Sequence, residues 1–86
     1  MPQVQLVHPL RAWRERRRFS AADVSALIEA RGFAFKRRSV LAVEDGWRHP
    51  AYDICEVIQA ITDGEVTIAV LRHWPLRQPK LDGEAA

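Results

Sequence analysis

Apolar residues in this chain recur at the spacing of one helix face, and each run is closed by polar or glycine punctuation. Val24, Leu27 and Ile28 form one such set between Ser20 and Gly32. The serine predicts an N-cap whose hydroxyl accepts from the amide of Asp23, with the Asp23 carboxylate reaching back in a shortened capping box. Phe19 and Val24 stand at the two ends of a hydrophobic staple. Gly32 predicts the left-handed residue that closes the helix, with Phe33 folding back on Ile28. A second set, Val40 and Val43, gives the inner edge of a helix over 36–45 that ends at Gly46. Lys36, Arg37, Arg38 and Ser39 lead that helix, while Arg37, Arg38, Leu41 and Ala42 fall on its outer side.

The flanks follow the same logic. Pro9 suits the first position of a helix over about 10–18, with Leu10 and Trp13 inward and Arg11, Arg14, Arg16, Arg17 and Arg18 around them. Ile54, Val57, Ile58 and Ile61 make the stripe of a core helix over 51–62, ending near Asp63-Gly64. The segment 66–72 is readable two ways: Thr67 caps a short fifth helix, or its β-branched residues form a strand, and the helix is preferred. Met1–Val7 alternates weakly and reads as irregular, with a short strand as the alternative. From Trp74 the pattern dissolves into Pro75, Pro79, Asp82, Gly83 and terminal alanines. The prediction is an all-α fold of five helices in one domain over 8–74, with a flexible tail over 75–86.

Composition narrows the function. The chain has 86 residues, 48% hydrophobic and 28% charged, enough for one small domain. No apolar run approaches the ~20 residues of a membrane span, and the N-terminus lacks a signal-peptide pattern, so a cytoplasmic location is expected. The net charge of +2 is unevenly placed: Arg11–Arg48 holds ten Lys/Arg against five acids, and the chain from His49 on holds three against six. Cations at a helix start are unfavourable for the helix itself. Lys36, Arg37 and Arg38 therefore point to a polyanion, with a solvated basic face as the alternative, and nucleic acid fits better than a membrane surface.

Other chemistries lack their residues. The single Cys55 excludes an internal disulfide and lies among Ile54, Val57 and Ile58 as a packing residue. His8, His49 and His73 are scattered, with no second ligand at helical spacing, and read as surface or loop histidines. Ser20, Ser25 and Ser39 have no evident histidine-carboxylate partners, and no glycine-rich phosphate loop occurs. An enzyme, a cofactor and a metal are not expected.

These residues resemble the lambda-repressor-like, or Cro/C1-type (Xre), helix-turn-helix family. HPLRAWRERRRFS is similar to its first helix and the serine entry to its second; SVLAVEDG is similar to the end of its recognition helix; PAYDICEVIQAITDGEVT is similar to its fourth helix and threonine-capped turn. The resemblance covers roughly residues 8–72. It implies double-stranded DNA as partner, a transcriptional regulator of the phage or mobile-element type, and a homodimer paired through 65–74 with Ile68, Val70, Leu71 and Trp74. It implies that Arg37, Arg38 and Leu41 face bases, while Lys36, Ser39 and Ser20 approach phosphates. Arg14 on the first helix, and Arg48 and His49 in the loop after the recognition helix, are further phosphate candidates. Leu41 has a competing partner in Trp47, which follows the glycine cap.

Two departures from the family stand out. Ala21 occupies the place of the family's common glutamine, and the Ser20–Gly46 segment is longer by about one to one and a half helical turns. They leave a rival function: a protein-interaction module, such as an antitoxin or an RNA polymerase adaptor, that keeps the fold without DNA readout.

Overall fold

The computed structural model describes residues 7–77. It is all-helical, with α1 Pro9–Arg16, α2 Ala21–Glu29, α3 Arg37–Glu44, α4 Tyr52–Ile61 and α5 Ile68–His73, and the described residues hold no strand. The strand alternative for 66–72 is thereby overturned; the one for Met1–Val7 falls outside the described residues except at Val7. The helix at 66–72 starts with two of its first three free amides met by side chains. Thr67 Oγ1 accepts from the Val70 amide at 3.1 Å and Gln59 Oε1 from the Ile68 amide at 2.9 Å.

The core gathers Leu10 and Trp13 from α1, Val24 and Ile28 from α2, Val40 and Val43 from α3, Ile58 from α4 and Leu71 from α5, all essentially inaccessible. Leu27, read as an inner position of α2, is 36% exposed instead. The α2 cap forms as a full reciprocal box: Asp23 N–H donates to Ser20 Oγ at 3.1 Å, and Ser20 N–H to Asp23 Oδ2 at 2.8 Å. Ala21 directly after it is only 5% exposed. Cys55 is fully buried, and burial pushes its thiol up.

Three helices end in the same hydrogen-bonded turn, but only one of them uses glycine at its left-handed residue. In α3 the Gly46 amide donates to Val43 O and the Trp47 amide to Ala42 O, with Gly46 at φ +80. In α1 the same bonds run from Arg18 to Glu15 and from Phe19 to Arg14, and Arg18 itself sits at φ 60. Asp63 at φ 55 closes α4 in this way. An L side chain in this region costs energy that glycine avoids.

Two local features correct the sequence reading. His8 is no surface histidine: it is 2% exposed, caps α1 by accepting from the Leu10 amide at Nδ1, and meets Trp74 edge-on at 4.9 Å. Burial and the neighbouring His49 lower its imidazole to about 4. The chain beyond α5 also stays docked through Arg77. His49 Nε2 donates to Trp74 O at 2.7 Å, Arg72 Nη1 to Pro50 O at 2.9 Å, and the Arg77 amide to Gly46 O at 2.7 Å. A Cβ at Gly46 would lie 3.4 Å from Pro75 O, so the docked segment adds to the demand for glycine there. Of the flexible tail expected over 75–86, residues 75–77 are thus docked, and 78–86 lie outside the described residues.

Candidate nucleic-acid interface

The placement of α3 follows from contacts on three sides. Val40 and Val43 bury against the core, and Ser25 Oγ on α2 donates to Phe35 O at 2.6 Å, fixing the chain just before α3 begins. Glu44, the last residue of α3, is buried and takes a fork of two bonds from Arg14 on α1: Nε to Oε2 at 2.7 Å and Nη2 to Oε1 at 2.9 Å. The same guanidinium donates from Nη1 to Phe19 O at 3.3 Å, and its bond to Glu44 holds its pKa above the ordinary value. Residues 30–36 connect α2 to α3, and Phe35 anchors that connection with 9% exposure.

With its inner face committed, α3 presents its first turn outward. Arg37 and Arg38 are its first two helical residues, exposed, and without a hydrogen bond or ion pair among the described residues. Lys36 is the N-cap but supplies no side-chain cap, and the first turn carries no acid. The free amides and positive dipole end therefore coincide with three cations. Lys36 Nζ lies 3.1 Å from Glu29 Oε2 in an exposed pair, an arrangement of little net worth in water. Arg48 reaches back from the following loop and donates to Ser39 Oγ at 2.9 Å, so its guanidinium joins the same turn of α3. Asp45 stands exposed at the opposite end. The field along α3 runs from positive at its start to acidic at its end.

The residues proposed from sequence thus divide. Lys36, Arg37, Arg38, Ser39 and Arg48 come together at the start of α3. Ser20 is exposed at the start of α2, its Oγ accepting from Asp23 and its hydroxyl proton free to donate. Leu41 is half-buried against the core. Arg14 is drawn inward by Glu44, its side chain 13% exposed, so it does not present its guanidinium to a phosphate. His49 is half-buried and donates to Trp74 O, so its Nε2–H is likewise committed within the fold. Ala21, next to Ser20, is buried and offers no side chain to a ligand. Of the expected dimer surface, Leu71 is fully buried and Trp74 packs on His8, while Ile68 and Val70 are half-buried against the core.

Arg31 was missed. It follows α2, is exposed and unpaired among the described residues, and lies in the connection that feeds α3. A basic residue beside the helix-closing Gly32 was the available signal. Among the other arginines, Arg16 and Arg17 both pair with Glu65 and Arg11 with Glu15, while Arg18, which closes α1, is exposed and unpaired among the described residues.

A cleft of about 330 Å³ opens at the other end of α3, lined by His8, Arg11, Glu44, Asp45, Trp74 and Arg77 among others. The described residues contain no group of His, Cys, Asp and Glu able to hold a metal ion, and no helix long and apolar enough to cross a membrane. Comparison with protein-family models, curated proteins and solved structures gave no match.

Proposed function

We propose that this domain is a sequence-specific DNA-binding transcriptional regulator that uses α2, the connection 30–36 and α3 as a helix-turn-helix and lays the first turn of α3 in the major groove. The observation that carries this is the pair Arg37 and Arg38: free, exposed and set on an uncapped helix start whose opposite face is locked into the core. Such an arrangement costs the isolated helix stability and is offset when phosphates and base edges arrive. Arg31, Lys36 and Arg48 surround the turn and supply backbone contacts on either side, with the Ser20 hydroxyl as a neutral donor. A two-fold operator would call for a homodimer whose interface lies away from Leu71 and Trp74.

Selection from a random duplex library at physiological salt tests the function. Enrichment of a discrete motif is the expected outcome. Equal retention of all sequences would mean that the basic turn is a general polyanion or protein-partner face, and the interaction-module function would replace this one.

A further inference from the structure

The chemistry of α3 also limits which base it reads. Seen down the helix, Val40, Val43 and Glu44 point inward, and at about 100° per residue Arg38 lies opposite them, with Arg37 on the flank. The other outward candidates are poor readers. Ala42 and Leu41 are half-buried and apolar, and Ser39, whose Oγ accepts from Arg48, is left with a single hydroxyl donor.

Adenine is read through N6 and N7, one donor and one acceptor, which Asn or Gln matches with its own acceptor and donor. The chain contains no asparagine at all. Its one glutamine among the described residues is Gln59 on α4, whose Oε1 accepts from the Ile68 amide. Guanine instead presents two acceptors, O6 and N7, and arginine is a group of donors only. Placed against adenine, the same guanidinium would face the N6 amino group donor to donor.

We propose that the half-site is anchored on guanine, contacted at O6 and N7 by Arg38. This rests on the DNA-binding function proposed above, and the test separates the two. On the duplex enriched by selection, each guanine in turn is replaced by 7-deazaguanine, which lacks the N7 acceptor, and each adenine by 7-deazaadenine. One guanine position per half-site should lose about tenfold in affinity. Arg38→Ala should show the same loss on unmodified DNA and no further loss on that modified duplex. The side chain is exposed and unpaired among the described residues, so the variant should retain the wild-type circular dichroism and melting point. Loss at an adenine with none at any guanine overturns the guanine assignment and leaves DNA binding standing; so does an Arg38→Ala variant that remains as sensitive to 7-deazaguanine as wild type. A selection with no enriched sequence overturns both.

Discussion

Replacing Glu44 by Gln tests the contact that holds α3 against α1. The carboxylate is 1% exposed and the Arg14 side chain 13%, so the pair is largely removed from water. Glutamine keeps the shape but offers one acceptor oxygen where Arg14 needs two, and turns an amide donor toward a guanidinium that can only donate. Removing one partner of a buried pair costs about 3–5 kcal/mol, because the survivor keeps its desolvation penalty and loses its attraction. An 86-residue domain has roughly 4–13 kcal/mol in all. The single change should therefore lower the melting temperature by roughly 15–30 °C. Arg14→Met/Glu44→Leu removes both charges and fills the site with apolar atoms, an exchange that is often neutral. Urea unfolding of wild type, Glu44→Gln, Arg14→Met, Glu44→Leu and the double variant closes the cycle. The expected result is three costly single changes and a double variant more stable than any of them. Additive losses, or a Glu44→Gln effect under about 0.5 kcal/mol, would refute a closed, desolvated pair.

Three further outcomes follow from the helix ends. Arg18→Gly should stabilise the domain by about 0.5–1 kcal/mol by relieving the left-handed arginine that closes α1; a lower melting temperature would contradict the stated strain. Lys36→Asp should cap α3 and raise stability by about 1 kcal/mol while weakening duplex binding, so melting and affinity measurements should move in opposite directions. His8 binds its proton more weakly in the fold, at about 4 against 6.5 unfolded, so the unfolded chain takes up more protons between those values; stability is full above 6.5 and is lost as pH falls toward 4. The loss should total about 2–3 kcal/mol, and His8→Asn, which keeps a capping acceptor, should show a shallower acid decline in urea midpoint; superimposable profiles would remove His8 as the cause.

What was legible in the sequence was local. The Ser20–Asp23 box, the Thr67 cap and the Gly46 turn each involve residues a few positions apart, and a cap needs only that spacing to form. The start of α3 was visible for the same reason, since Lys36, Arg37 and Arg38 contradict the helix that carries them. Long-range partners were not visible. Arg14 resembled its solvated neighbours until Glu44, thirty residues away, came to meet it. His8 and His49 looked isolated because what encloses them is Trp74, brought back from beyond α5. The docking of Arg77 on Gly46 and Trp47 lay inside a segment whose proline-rich composition suggested a loose tail. Arg31 escaped because helix periodicity directs attention to faces, and it sits on a connection. Arg18 shows the reverse failure: glycine marks left-handed turns reliably, but an arginine there leaves no trace in the pattern.

Chemical-shift mapping of the backbone amides, with the selected duplex titrated into labelled protein, tests most directly whether α3 is the surface that meets DNA. The account predicts the largest changes at Arg31, Lys36–Ser39 and Arg48, with the outer face of α4 at Tyr52, Asp53 and Glu56 unchanged. Changes centred on that α4 face, or on the cleft around His8 and Trp74 with the start of α3 silent, would contradict it.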